Sequence, residues 1–164
     1  VNAALWIVAL VAIQRLLELM YAQRNTRALL ARGAREASPE QHPWFVLLHA
    51  GWLIAVAIAV RPGAAINWWL IAFFALLQAA RLWVIATLGP YWTTRIITLP
   101  GAPLVRNGPF KFLRHPNYAI VAAEVAVLPL AFGAWRIALI FTILNGMLLA
   151  WRIPAEEKAL AGRY

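Results

Sequence analysis

The chain reads as an all-α integral membrane protein of about five transmembrane helices. Three observations predict this. Of its 164 residues, 63% are hydrophobic, against roughly 45–50% in a soluble domain, and the mean hydropathy is +0.70. Nine residues are Trp, which collects at membrane interfaces. The apolar residues fall in five runs, each at or near the roughly 20 residues that a spanning helix needs.

The first helix is expected over about residues 2–22. Its start carries almost no positive charge, and its apolar core is followed by Gln14, Arg15 and Glu18 rather than a small-residue cleavage site. It therefore reads as a retained membrane helix and not as a removable leader. The second is expected over 44–60. Arg61-Pro62-Gly63 is a tight turn into the third, over 66–88. The fourth, over 117–132, is short for a full span. Phe132-Gly133-Ala134 turns the chain into the fifth, over 135–151. The loop of about 89–116 holds Tyr91, Trp92, Ile96, Ile97, Leu99, Leu104, Val105, Phe110 and Phe112 among Pro and Gly. That composition predicts an ordered cap rather than a linker. The whole chain, 1–164, reads as one domain with no internal repeat.

Basic residues alternate from side to side. Arg24, Arg27, Arg32 and Arg35 lie between helices one and two. Arg95, Arg106, Lys111 and Arg114 lie between three and four, and Arg152, Lys158 and Arg163 follow five. Eleven are thus on one side, against only Arg61 and Arg136 on the other. The positive-inside rule then puts the N-terminus outside and the C-terminus in the cytoplasm. The same rule accounts for the net charge of +9, and no RNA- or DNA-binding motif accompanies it, so no nucleic-acid partner is expected.

Other classes are excluded by what is missing. There is no Cys, and three His with no Asp leave little for a metal cage, so no metal is expected. No Gly-x-Gly-x-x-Gly loop, Walker-type phosphate loop or His-Glu-x-x-His occurs. No βα alternation supports a Rossmann enzyme.

Chemistry concentrates in two polar clusters at the expected cytoplasmic face. The first is Leu113-Arg114-His115-Pro116-Asn117-Tyr118. A residue before Pro is pushed out of helical geometry, and Pro suits the first turn of a helix. The chain should be extended at His115 and helical from Pro116, with free N–H groups able to hold an anion. The ordinary alternative is a plain helix start with a snorkelling Arg114 and an interfacial His. The second cluster is Arg152 with Glu156, four apart and on one face if the helix continues; Pro154 could kink it. Arg grips carboxylates through paired hydrogen bonds, whereas a bare surface pair stabilises by only about 0–1 kcal/mol. Glu157 is expected to face solvent. Inside the helices, Arg15 and Glu18 should pair or line a polar cavity. Glu124 has no local partner, and Arg81 could supply one. His42 and His49 read as packed rather than catalytic.

At these residues the chain resembles the isoprenylcysteine carboxyl methyltransferase family of integral membrane enzymes. The matching text is Leu104-Val105-Arg106-Asn107-Gly108-Pro109-Phe110-Lys111-Phe112-Leu113-Arg114-His115-Pro116-Asn117-Tyr118, then Arg152-x-x-x-Glu156-Glu157-x-x-Leu160. It covers roughly the last 70 residues. Arg-His-Pro-x-Tyr alone also occurs in membrane sterol reductases, and the Arg and Glu-Glu ending adds specificity. The resemblance implies S-adenosylmethionine in a cytoplasmic-side pocket near the start of helix four, contacted by Leu104, Val105, Phe110, Arg114, His115, Pro116, Asn117 and Tyr118. It implies Arg152 and Glu156 at the acceptor. The eukaryotic members continue beyond the position matching Tyr164. The N-terminal half, with Gln14-Arg15-Leu16-Leu17-Glu18-Leu19, Arg24-Asn25 and His42-Pro43, resembles a compact bacterial subgroup. This implies a bacterial inner membrane, and acceptors such as prenylated molecules or the long-chain products of polyketide synthases.

The expected function is O-methyl transfer to a lipophilic carboxylate or hydroxyl. A carboxylate is ionised at neutral pH and needs only Arg152 to aim it. A phenol, with a pKa near 10, needs a base, for which Glu156 or His115 is placed. The rivals are an NAD(P)H-dependent membrane lipid reductase and a non-enzymatic scaffold or transporter.

Overall fold

The computed structural model describes residues 2–161; Arg163, counted above among the basic residues, lies outside them. Five helices carry the fold: α1 (Ala3–Ala31), α2 (His42–Ala59), α3 (Trp68–Leu88), α4 (Pro116–Ala131) and α5 (Trp135–Ala159). Two short strands, β1 (Arg35–Ala37) and β2 (Ile96–Thr98), pair antiparallel with Glu36 opposite Ile97. Apart from this ribbon, the regular structure among the described residues is helical. Four of the helices are long and apolar enough to cross a membrane, and α4 is shorter.

Local chemistry fixes the ends. The Asn2 side chain accepts from the Ala4 N–H, and the Asn67 side chain accepts from the Leu70 N–H, so each caps a helix start. Gly133, at φ 73°, closes α4: its N–H donates to Leu130 O and that of Ala134 to Pro129 O. The chain then reverses at once into α5.

The shortest helix is the central one. On α4, Ile120, Val121, Val125, Val127, Leu128 and Ala131 are all buried, between α3 on one side and α5 on the other. The Trp52 indole donates to Val125 O at 3.1 Å and ties α2 to it. Large apolar side chains instead cover the outside: Trp69 is 87% exposed and Ile58 79%. Such a surface suits lipid and not water.

Three features differ from the sequence expectations. Helix α1 runs to Ala31 rather than ending near residue 22. The onset of charge marks where it leaves the apolar layer, but no helix breaker follows until Gly33, at φ 88°. The Asn25 amide anchors this extension by donating to Gly89 O at 3.1 Å and Trp92 O at 2.9 Å. Helix α5 runs through Pro154 to Ala159 instead of stopping near residue 151, and the Gln41 side chain donates to its Trp151 O. The ribbon β1–β2 occupies what read as two separate loops. It joins the end of α1 to the α3–α4 connection, over the same end of the bundle as the two polar clusters.

Candidate active site

The start of α4 is built as its sequence requires. His115 has φ −126° and ψ 63°, outside helical geometry, and its side chain does not cap the helix. The N–H groups of Tyr118 and Ala119 both turn back onto His115 O. Upstream, a single turn of 3-10 helix over Gly108–Lys111 presses against α3. Gly108 is required there twice over. Its φ is +56°, and a Cβ would come within 2.7 Å of Thr87 Oγ1.

Arg152 projects from α5 into this corner and is 6% exposed. Its Nη2 donates to Thr94 O at 2.8 Å, its Nε to the Tyr118 hydroxyl at 3.1 Å, and its guanidinium carbon lies 5.2 Å from the centre of the Phe45 ring. The Tyr118 hydroxyl in turn donates to Glu156 Oε2. Arg152 and Glu156 share a face of the continuous α5, yet a phenol stands between them where a direct ion pair was one expectation. His115 stacks on the Tyr118 ring at 5.5 Å. Its Nε2 is 3.2 Å from Glu157 Oε1 and its Nδ1 3.9 Å from Glu156 Oε2. Glu157, expected in solvent, is thus a partner of His115 and, at 3.5 Å, of Arg114.

These groups border one cavity of about 880 Å³. Leu104, Val105, Phe110, Arg114, His115, Pro116, Asn117, Tyr118, Arg152 and Glu156 all line it. So do Ala12, Leu16 and Leu19 of α1 and Val46, Ala50 and Leu53 of α2, which make a second, apolar flank. Sequence reasoning missed Thr94, Phe45 and Trp92. Trp92 sat in an aromatic-rich loop and could have been flagged, whereas Thr94 meets Arg152 through its backbone carbonyl and left no signal. His42, whose Nε2 is 3.2 Å from Thr94 Oγ1, and His49, whose Nδ1 donates to Phe45 O at 2.7 Å, also line the cavity and are held by these local bonds.

On its wall the intrahelical charges meet, with Arg15, Glu18 and Arg81 among the lining residues. Arg15 lies 2.9 Å from Glu18 and 2.8 Å from Glu124. Arg81 lies 2.8 Å from Glu18 and 3.6 Å from Glu124. Gln78 donates to Glu124 at 2.7 Å and accepts from Gln14 at 2.9 Å. Three helices thus supply a charge-balanced network at membrane depth, where unpaired charge is expensive. Both partners considered from sequence are used at once: Arg15 with Glu18, and Arg81 with Glu124. Arg81 also donates to Asn117 Oδ1 at 3.2 Å, so the network reaches the first turn of α4. Among the described residues no group of three or more His, Cys, Asp or Glu is placed to hold a metal.

The chain is 35% identical over 159 residues to the uncharacterized protein YpbQ of Bacillus subtilis, covering 94% of each. It is 30% identical over 145 residues to an uncharacterized protein of Haemophilus influenzae, covering 84% of this chain and 83% of the other. No solved structure matches. Residues 69–162 match the isoprenylcysteine carboxyl methyltransferase family. That span takes in α3, the α3–α4 connection, α4 and α5, which carry the Tyr118–Arg152–Glu156 corner and most of the cavity wall. The chain belongs to the isoprenylcysteine carboxyl methyltransferase family and is a membrane methyltransferase by that membership.

Proposed function

We propose that this chain transfers a methyl group from S-adenosylmethionine to an oxygen of a lipophilic acceptor, a carboxylate or hydroxyl on a prenylated or long-chain molecule. The observation that carries the reading is the convergence of both polar clusters on one cavity whose other flank is apolar and belongs to α1 and α2.

The lining fits the methyl donor in kind. Leu104, Val105 and Phe110 offer apolar surface for a flat base, and the uncapped start of α4 beside Arg114 suits a carboxylate. When bound, the donor supplies an electrophilic methyl group. The protein's task is to aim the acceptor oxygen in line with it and exclude water. Arg152 does the aiming. Its guanidinium is held by Thr94 O, the Tyr118 hydroxyl and the Phe45 ring, so its direction is fixed before the acceptor arrives. A hydroxyl acceptor must also lose a proton, and Glu156, reached through the Tyr118 hydroxyl, holds it. The ribbon β1–β2 and the residues around it cover the corner against water.

The polar end of the molecule faces the cytoplasm in this reading, in keeping with the split of basic residues and with bacterial relatives. The acceptor's tail reaches the cavity between α1 and α2, past Leu16, Leu19, Val46 and Leu53. The test is direct. Purified protein in detergent should bind S-adenosylhomocysteine by calorimetry, and with isotope-labelled S-adenosylmethionine it should label a component of a bacterial lipid extract, read by mass spectrometry. Binding of NADPH with no binding of S-adenosylhomocysteine would overturn the reading in favour of a reductase.

A further inference from the structure

One link of the buried charge network leaves it for the candidate site. Arg81 of α3 divides its guanidinium between two neighbouring helices. Its Nε donates to Glu18 Oε2 of α1 at 2.8 Å, and its Nη1 donates to Asn117 Oδ1 of α4 at 3.2 Å. Arg81 is 8% exposed, and its carboxylate partners set its direction. Asn117 is the second residue of α4 and lines the cavity.

An arginine side chain offers only donors. It therefore fixes which end of the Asn117 amide faces it: the oxygen turns to Arg81, and Nδ2 is turned away. That Nδ2 donates to no acceptor among the described residues and is not sealed from solvent. A brace between α3 and α4 has no use for this second end. A carboxylate at position 117 would accept from Arg81 more strongly, and a helix start favours negative charge. What asparagine supplies beyond aspartate is one N–H donor on a residue of the cavity wall, with its direction set by Arg81.

We propose that Arg81 is a positioning residue of the methyl-donor site: it orients the Asn117 amide so that Nδ2 donates to an acceptor atom of bound S-adenosylmethionine. This rests on the reading of the chain as a user of that donor. Glu18, which holds Arg81, belongs to α1, and α1 lies outside the residues 69–162 that match the family. It also supplies Ala12, Leu16 and Leu19 to the apolar flank. The links from Glu18 through Arg81 to Asn117 thus make the grip on the methyl donor depend on a helix of the acceptor's side.

The probe is S-adenosylhomocysteine, titrated by calorimetry into the full chain in detergent, with a melting curve for every variant. Asn117→Asp keeps the acceptor for Arg81 and removes only the donor. It should bind at least about fivefold more weakly, as one hydrogen bond warrants, while melting close to wild type. Arg81→Lys keeps the charge, but a single nitrogen cannot serve Glu18 and Asn117 as the fork does. It should weaken binding about three- to tenfold in the wild-type background. In an Asn117→Ala background, with no amide left to orient, the same change should cost less than about twofold. If Arg81→Lys does not fold, Arg81→Met combined with Glu124→Gln takes its place, since it leaves Arg15 and Glu18 as a balanced pair. Undiminished affinity in Asn117→Asp, or an equal loss from the Arg81 change with and without the Asn117 amide, would overturn the positioning role and leave Arg81 as a brace. A wild type that binds no S-adenosylhomocysteine would instead overturn the methyltransferase reading, and this inference with it.

Discussion

The Tyr118 hydroxyl accepts from Arg152 Nε at 3.1 Å and passes its own proton toward Glu156. One phenol thereby links the only two α5 side chains that resembled acceptor-handling groups, and it does so from the helix that carries the motif. The guanidinium is consequently aimed by α4 as well as by α5.

Removing the phenol should disconnect the two. In Tyr118→Phe, Arg152 loses one of its two hydrogen-bond acceptors, and a bond to a charged group contributes about 1.5–3 kcal/mol. Turnover is expected to fall about 10- to 100-fold, with a smaller loss of S-adenosylhomocysteine affinity, measured by steady-state rates beside calorimetry. Equal losses in both would place the phenol with the cofactor and not with the acceptor.

Arg152→Lys preserves charge but not the fork. An ammonium cannot hold Thr94 O and Tyr118 while stacking on Phe45. The expected result is a fall in turnover of about a hundredfold, with S-adenosylhomocysteine binding near wild type. Full activity in this variant would end the aiming role, and a loss of binding in step with turnover would move the residue to the cofactor.

Glu156→Gln should discriminate between acceptors. A carboxylate acceptor has no proton to lose, whereas a phenol does. The variant is expected to slow a phenolic acceptor at least tenfold more than a carboxylate one, in a competition assay read by mass spectrometry.

The buried network gives a stability prediction. Glu124→Ala leaves Arg15 with Glu18 as its one carboxylate, beside the Gln78 amide oxygen, and strips Arg81 of a second carboxylate. Breaking a buried ion pair on one side costs about 3–5 kcal/mol, so a clearly lowered melting temperature is expected in detergent. Glu157→Ala, at the half-exposed edge of the site, should melt close to wild type. Similar melting of the two would mean that the network does not hold the helices together.

Orientation can be read with one engineered thiol. These 164 residues include no Cys, so a cysteine at position 106 would be their one target for a membrane-impermeant maleimide. Labelling is expected in inverted vesicles and not in intact cells. The opposite pattern would reverse the topology.

Much of this was written in the sequence, for physical reasons. Apolar runs broken by Arg61-Pro62-Gly63 and Phe132-Gly133-Ala134 announce helices and reversals, because turn chemistry is local. The His115-Pro116 step announces the start of α4 for the same reason. Helix ends were less legible. Hydropathy reports where a helix leaves lipid, so Ala22 looked terminal while the backbone continued to Ala31 on the strength of Asn25 bonds made 64 and 67 residues away. The β1–β2 ribbon is likewise a long-range pairing of three-residue strands, too short to carry a pattern. At the site, residue types betrayed Arg152, Glu156 and Tyr118. The order in which they connect depends on the relative rotation of α4 and α5, which no spacing within one helix records. Thr94 meets Arg152 through its main chain, which every residue possesses.

The length of α4 has a consequence for how the enzyme meets its substrate. Sixteen residues rise roughly 24 Å, against a hydrocarbon core of about 30 Å. The turn at Gly133 leads straight into α5, so on the function proposed above the shortfall is expected at the Pro116 end, and the corner formed by Tyr118 and Arg152 is expected at the level where amphiphile head groups meet their tails. An acceptor dissolved in the bilayer can present its polar end without leaving the leaflet. Saturation should then follow its mole fraction among the lipids, and adding inert phospholipid at constant total acceptor should slow the reaction by dilution in two dimensions.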